Sequence, residues 1–219
     1  IYVPYMLASI TSYPSWGYMA ANGATTIWEL WNGNTADPGM NSGNHVMLIG
    51  DLVIWLYEYL GAIQSDIENP GFKHISMKPM VIKDLEWVNA AHTSLYGEIK
   101  SSWKQTDGKF IWDVSIPANS YATVYVPAKK ESNVTEGGVS ASKAVGLKFI
   151  EVKNGYALYE AGSGTYHFIS DSYEMPTNLK SYVSIPVISP IDTVGATPAT
   201  IMVSMRCKTK GAEIRYTID

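Results

Sequence analysis

The chain has 219 residues, of which 46% are hydrophobic and only 16% are charged. With 7 Trp and 15 Tyr, this composition predicts a folded, aromatic-rich protein rather than a disordered one. The net charge of −4 excludes the basic footprint of a nucleic-acid-binding protein, and no apolar run is long enough to insert into a membrane as a spanning helix.

Residues 1–62 have the sequence pattern of helices. A run from Asn44 to Gln64 places apolar residues at i, i+3 and i+4 spacing, which predicts a heavily buried helix. The predicted buried face consists of Met47, Leu48, Leu52, Trp55, Leu56, Tyr59 and Leu60. Asn44 or Ser42 is the candidate N-cap, and Gly61 is the candidate end.

Two shorter helices are predicted upstream, at Trp16–Asn22 and at Thr25–Trp31. The segment between them and the long helix, residues 32–44, is rich in Gly, Asn and Pro. Loops of this length and composition are often functional.

Residues 63–75 form a boundary marked by Pro70-Gly71, after which the apolar period changes from 3.6 to 2. The run 88–105 is predicted to pair with 110–117 as a β-hairpin around Asp107-Gly108. Further strands are predicted at 121–128, 145–152, 156–160 and 164–169. Turns are predicted at Asn154-Gly155 and at residues 162–164. This succession of short strands predicts an antiparallel β-sandwich over 63–170.

Residues 171–219 are predicted to be a linker followed by the opening strands of an incomplete β-module. The chain begins "IYVPYML" and stops at "AEIRYTID", and both ends have the character of interior sequence. We therefore expect a fragment of a longer protein, whose apolar helical face would promote self-association. Cys207, the single cysteine, is expected to be a small buried or half-buried thiol.

Glu29 is the main candidate for chemistry, because it lies between Trp28 and Trp31 in the uncharged stretch "GATTIWELWNG". Aromatic rings beside a carboxylate suit a sugar site, where rings cover the apolar faces of a pyranose and polar groups bind its hydroxyls. The alternative is that Glu29 lies at the solvated end of a helix while the Trp rings fill the core.

Other candidate groups have simpler explanations beside their functional ones. Glycoside hydrolysis needs two carboxyl groups, and the other acids of the helical segment are weaker candidates than Glu29. Asp51 and Glu58 are explained as residues on the solvated side of the helix, and Asp37 is explained as a turn residue. His45 could bind a sugar hydroxyl or act as a structural or capping histidine. The remaining histidines, at 74, 92 and 167, share no metal-ligand spacing, so neither a metal nor a cofactor is expected.

Two long stretches carry a resemblance to a known family. The stretch from Thr11 to Ile63, with its blocks "GATTIWELW" and "SGNH", closely resembles the end of the catalytic domain of α-L-rhamnosidases of glycoside hydrolase family 78. Residues 75–128 resemble that family's C-terminal β-sandwich, with a weaker continuation to about 170. The segment ending "GAEIRYTID" resembles a small β-module found at the C-terminus of some bacterial glycosidases.

The resemblance implies an α+β fragment that comprises the last helices of an (α/α)₆ barrel, a β-sandwich and the start of a further β-module. It implies an inverting reaction on rhamnose-containing glycans or glycosides, with Glu29 as general base and His45 in the rhamnose subsite. Trp28 and Trp31 would shape the pocket. The general acid would belong to an upstream segment, so the chain alone would be inactive. A bacterial periplasmic, cell-surface or secreted location is expected.

Two hypotheses from other classes remain open. The chain could serve as a non-catalytic carbohydrate-binding module, since a β-sandwich can bind sugar. It could also be a structural β-sandwich that braces a neighbouring domain.

Overall fold

The computed structural model describes residues 3–173, 187–190 and 203–206, the last two ranges by their backbone. The chain divides into two compact units, Ile1–Pro176 and Thr177–Asp219. Among the helices of these described residues, none has both the length and the apolar character required to cross a membrane. Cys207 lies outside the described residues.

The first 60 residues hold α1 (Val3–Ser9), α2 (Trp16–Ala21), a 3₁₀ turn (Val46–Ile49), α3 (Gly50–Trp55) and a π-helical turn (Leu56–Leu60). The helix predicted at Trp16–Asn22 is confirmed, and Ser15 caps it by accepting the Tyr18 N–H at 2.8 Å. The helix predicted at Thr25–Trp31 is wrong. That stretch forms an irregular loop with bends, because its backbone groups bond to residues 41–45 rather than to one another.

The long apolar run is helical from Val46 to Leu60, but it is not the uniform buried α-helix that its periodicity predicts. Only Leu52, Trp55 and Leu60 are buried, against α1, α2 and the segment 80–85, while Met47 is 66% exposed. The predicted caps are also wrong, since His45 occupies the N-cap position and makes no capping bond. The predicted end at Gly61 is confirmed.

The strands of the first unit form two sheets. Their bounds are β1 (Gln64–Ser65), β2 (His74–Met77), β3 (Trp87–Ser94), β4 (Gly97–Thr106), β5 (Lys109–Ile116), β6 (Tyr121–Pro127), β7 (Val134–Glu136), β8 (Val139–Ser140), β9 (Leu147–Lys153), β10 (Tyr156–Ala161) and β11 (Gly164–Ser170). Short 3₁₀ turns at Glu131–Asn133 and Ala141–Lys143 flank β7 and β8.

Sheet 1 has five strands in the order β1-β2-β6-β10-β9, and sheet 2 has six in the order β3-β4-β5-β11-β7-β8. The inner faces of both sheets share one core, because alternate residues of each strand point the same way. Its largest fully buried members include Trp103, Trp112, Tyr159, Phe110 and Phe168. The predicted β-sandwich is therefore present.

The sequence predicted most of these strands but not all of their pairings. The hairpin turns at Asp107-Gly108 and Asn154-Gly155 are confirmed, with the positive φ angles of 48° and 74°, and of 52° and 81°, that a two-residue turn needs. The prediction of residues 88–105 as one strand is wrong, since Leu95 and Tyr96 form a turn between β3 and β4. β1, β2, β7 and β8 were not predicted, and β2 pairs with β6 in parallel, an exception to the antiparallel prediction.

The end of the helical segment is fastened directly to the sandwich. Trp103 Nε1 donates to the Leu60 carbonyl at 2.7 Å, and the Met80 N–H donates to the Tyr59 carbonyl at 2.7 Å. Ala62 and Ile63 then enter the sandwich core. The helices and the sandwich consequently belong to one compact unit.

In the second unit, β12 (Val187–Pro190) pairs antiparallel with β13 (Val203–Arg206). Two strands of the further module were predicted within residues 185–191 and 199–208, and this pair lies within those segments. The third predicted strand, "AEIRYTID", lies outside the described residues.

Candidate active site around Glu29

Glu29 lies in a loop pair in which residues 26–30 run beside residues 41–45. The Glu29 N–H donates to the Ser42 carbonyl at 2.9 Å, and the Ser42 N–H donates back to Glu29 Oε2 at 3.0 Å. The His45 N–H donates to the Ile27 carbonyl at 2.6 Å. These bonds fix both the backbone and the carboxylate of Glu29 without a cationic side chain.

Two asparagines complete the pairing of the loops. The Leu30 N–H donates to Asn41 Oδ1 at 3.1 Å, and Thr26 Oγ1 donates to Asn44 Oδ1 at 3.2 Å. Asn44, predicted as a helix cap, instead holds the Glu29 loop. Sequence reasoning noted Ser42 and Asn44 only as cap candidates, although Asn and Ser also commonly bond to loop backbone.

Glu29 and His45 face each other across this loop pair. Glu29 Oε2 lies 3.8 Å from His45 Nδ1, a distance close enough for electrostatic contact but too long for a hydrogen bond. Within the described residues, His45 Nδ1 is shielded from solvent and has no hydrogen-bond partner. The Glu29 side chain is 43% exposed. The carboxylate is thus held on one oxygen and open to water, beside an unbonded ring nitrogen.

Trp28 and Trp31 pack against the protein around this loop. The Trp28 ring lies over Gly33, where an added Cβ would come within 2.7 Å of the ring, so a larger residue there would displace the ring. Trp31 contacts Trp16 edge-on, with ring centroids 5.4 Å apart. Both predicted pocket residues are half-buried and brace the loop that carries Glu29.

The loop is also tied to α2 by a chain of polar groups. Tyr18 Oη donates to Asn34 Oδ1 at 3.3 Å, and Asn34 Nδ2 donates to Asn22 Oδ1 at 3.2 Å. Asn22 Nδ2 in turn donates to the Tyr18 carbonyl at 2.9 Å. The long polar loop is therefore ordered by side-chain bonds rather than by a helix of its own.

The other carboxylates of the helical segment have local roles. Asp37 Oδ1 accepts the Gly39 N–H at 2.8 Å, which is the turn geometry that the sequence predicted for it. Asp51 is exposed on α3, and Glu58 is half-buried in the π-helical turn. Of the acids in this segment, only Glu29 faces a histidine across the loop pair.

The remaining histidines lie on the sandwich, apart from this loop pair. His74 bonds Asp66 Oδ2 at 2.8 Å through Nδ1 and Thr123 Oγ1 at 2.9 Å through Nε2. Hydrogen bonds from Asn69, from His74 and from the Glu68 N–H lower the pKa of Asp66 to about 2. His167 bonds Asp113 at 2.6 Å, and the His92 ring contacts Phe72.

Two family models match the chain in succession. Residues 3–60 match the bacterial α-L-rhamnosidase 6 hairpin glycosidase domain, and residues 64–141 match the bacterial α-L-rhamnosidase C-terminal domain. The first match includes the Glu29 loop pair, and the second begins where the helical segment enters the sandwich.

Individual relatives agree with these matches. The α-L-rhamnosidase of Streptomyces avermitilis is 31% identical over 173 residues, which are 76% of this chain but 16% of that protein. A crystal structure of a Streptomyces avermitilis α-L-rhamnosidase with L-rhamnose covers 75% of this chain and 16% of that chain, with a TM-score of 0.66 and 29% identity. The structure of the α-L-rhamnosidase from Dictyoglumus thermophilum covers 76% of this chain and 18% of that chain, with a TM-score of 0.65 and 34% identity.

The chain therefore spans less than a fifth of the length of these relatives, and the matched part runs through the helical segment and into the β-sandwich. On these matches, the chain belongs to the bacterial α-L-rhamnosidase family.

Proposed function

We propose that the chain forms part of an inverting α-L-rhamnosidase that hydrolyses terminal α-L-rhamnosyl residues of plant glycosides or polysaccharides. Glu29 acts as the general base that activates the attacking water. The observation that carries this role is the state of its carboxylate, which is anchored on Oε2 by the Ser42 N–H and is still 43% exposed. An anchored, solvent-accessible carboxylate can orient one water and accept its proton.

His45, Trp28 and Trp31 form one side of the rhamnose subsite in this proposal. His45 Nδ1 lies 3.8 Å from Glu29 Oε2, so the imidazole ring stands directly beside the carboxylate that would activate the water. The two tryptophans pack against Gly33 and Trp16, and so hold in place the loop that carries the carboxylate. Groups that hold the sugar and the water in place make a bimolecular reaction effectively unimolecular, which lowers its entropic cost.

The inverting mechanism requires a second carboxyl group as general acid, about 6.5–9.5 Å from the base. In the relatives, most of the sequence lies outside the region that matches this chain. We place the general acid in that remainder, and we expect the chain by itself to be inactive. Residues 1–62 would be the last helices of an (α/α)₆ barrel, 63–170 the C-terminal β-sandwich and 171–219 a linker with an incomplete β-module.

The apolar surface of the helical segment supports this arrangement. Val46, Met47, Ile54 and Tyr57 are between 41% and 66% exposed, far more than a buried barrel helix would allow. Further helices of the six-hairpin domain would cover this surface in the whole enzyme. In their absence the chain would self-associate through it, and sedimentation would then show species larger than a monomer.

The substrate and the location follow from the same proposal. The relative crystallised with L-rhamnose indicates a ligand of that class. A glycan substrate favours a bacterial periplasmic, cell-surface or secreted enzyme.

The test is hydrolysis of an aryl α-L-rhamnoside by the full-length enzyme that carries this sequence, by its Glu29→Gln variant and by the 219-residue chain. Loss of a general base lowers kcat about 10²–10⁴-fold, so Glu29→Gln should fall within that range and the chain should be inactive. Glu151→Gln, which removes an exposed acid of β9 on the sandwich, is the matched control and should keep its rate.

Three results would contradict the proposal: a Glu29→Gln variant within a few-fold of the parent, turnover by the 219-residue chain, or release of α-L-rhamnose as the first product. The anomer first released is read by NMR before mutarotation.

A further inference from the structure

The outer face of sheet 1 carries one polar residue from each of its five strands, and these residues lie in register. The row is formed by Gln64, Ser76, Thr123, Glu160 and Lys148. Their neighbours along each strand, such as Ile75 and Val124, belong to the core, so the row faces outward. At about 4.8 Å per strand, it extends roughly 19 Å, which is longer than one sugar ring.

Beside this row stands an aromatic ring that is held rigidly. Tyr121 stacks on the His74 ring, with centroids 4.6 Å apart and an interplanar angle of 22°. The His74 ring is itself bonded at both nitrogens, to Asp66 and to Thr123. One face of the Tyr121 ring is therefore supported while the residue stays 37% exposed. A pre-organised ring loses little conformational entropy when a ligand stacks on it.

Tyr121, Lys148 and Glu160 line the same cleft, together with Gly146 and Gly162. The cleft has a volume of about 420 Å³, within the range of small-ligand sites. It joins an aromatic surface to groups that donate and accept hydrogen bonds.

The charges of the cleft select the class of ligand. Glu160 and Lys148 are exposed and directly opposite each other in the β10–β9 register, so one acceptor and one donor lie side by side with no net charge. A polyanion would be repelled by the carboxylate as much as it is attracted by the ammonium group. A neutral sugar chain, whose hydroxyls both donate and accept, complements this pair and the ring together.

We propose that the outer face of sheet 1 is a second carbohydrate-binding surface, which holds a neutral glycan chain by stacking on Tyr121 and by hydrogen bonds to Glu160 and Lys148. It is distinct from the Glu29 loop pair, since it lies on the sandwich. The choice of a rhamnose-containing glycan as its ligand rests on the function proposed above. Such a surface would keep a polymeric substrate near the enzyme between hydrolytic events.

The experiment is calorimetric titration of the 219-residue chain with a neutral α-L-rhamno-hexasaccharide, with L-rhamnose and with an oligogalacturonate. We expect saturable binding of the hexasaccharide, much weaker binding of the monosaccharide and no binding of the polyanion. Tyr121→Ala should weaken hexasaccharide binding about tenfold, as truncation of a central aromatic anchor does. Tyr121→Phe keeps the ring and should retain binding, and Glu160→Gln should weaken it.

Trp87→Ala is the matched control, because Trp87 is a 61% exposed aromatic residue on the other sheet. Glu29→Gln should also leave hexasaccharide binding unchanged. The hydrolysis assay therefore tests the catalytic proposal, and the titration tests this one independently. Circular dichroism confirms that each variant is folded. The proposal would be overturned if the hexasaccharide showed no saturable binding, or if Tyr121→Ala bound it with unchanged affinity. It would also be overturned if binding were lost in Trp87→Ala or Glu29→Gln instead, or if the chain preferred the oligogalacturonate.

Discussion

Trp103→Phe should destabilise the first unit far more than a conservative aromatic change usually does. Trp103 is 1% exposed and lies in the sandwich core, but its Nε1 donates to the carbonyl of Leu60 at the end of the helical segment. Phenylalanine keeps most of the apolar contact and removes this donor. The change thus isolates the bond that fastens the helices to the sandwich.

The magnitude follows from two losses. Leaving the buried Leu60 carbonyl without its partner costs about 1–3 kcal/mol, and the smaller ring leaves a core void that costs about 1 kcal/mol. We therefore expect the free energy of unfolding to fall by about 2–4 kcal/mol. For a unit of this size, that corresponds to a fall in Tm of roughly 4–16 °C.

The assay is urea unfolding of the 219-residue chain and its variant, followed by tryptophan fluorescence and by far-UV circular dichroism. Trp87→Phe is the matched control, because Trp87 is 61% exposed, and it should change stability by less than about 0.5 kcal/mol. A loss below about 1 kcal/mol in Trp103→Phe would refute the reasoning. It would mean that the Leu60 carbonyl finds water or another donor.

Three further changes test other parts of the structure. Gly61→Ala places a Cβ 2.8 Å from the Ala90 Cβ, so the unfolding free energy should fall by about 1–3 kcal/mol, and an unchanged urea midpoint would contradict the close approach. Tyr159→Phe removes a buried hydroxyl that has no partner among the described residues, so thermal unfolding should show equal or higher stability, and a clear loss would reveal a hidden partner. The pKa of Asp66 lies at about 2 instead of 3.8, so its contribution to stability is complete above pH 3.8 and disappears as the pH falls through about 2. Asp66→Asn should accordingly lower the Tm at neutral pH but not at the acid end, and an equal difference at both would contradict the assigned pKa.

The β-rich half was more predictable than the helical half because its signals are local. Asp107-Gly108 and Asn154-Gly155 specify two-residue turns by their tolerance of positive φ, and alternation then sets which residues face inward. β1 and β7 were missed since strands of two and three residues carry almost no periodic signal. The parallel pairing of β2 with β6 joins residues about 47 apart, which no local pattern specifies.

Within the candidate site, the sequence singled out Glu29 because a lone acid among tryptophans is an unusual composition. The sequence placed that acid on a helix, and the structure has it in an irregular loop. The backbone of the Glu29 stretch bonds to Ser42 and Asn41, more than ten residues away, and these contacts outweigh a modest helix propensity. The proximity of His45 to Glu29 is likewise a product of that loop pairing.

The sequence by itself determined the class of the protein, the order of helices before strands, most of the strands with their turns, and the acid to examine first. These features depend on residue type and on short-range spacing, which a chain carries whatever surrounds it. Only the tertiary structure decided which face of the helical run is buried, what holds the Glu29 carboxylate and how Tyr121 is supported by His74. Each of these depends on groups distant in the chain that meet because a shared core and paired loops bring them together.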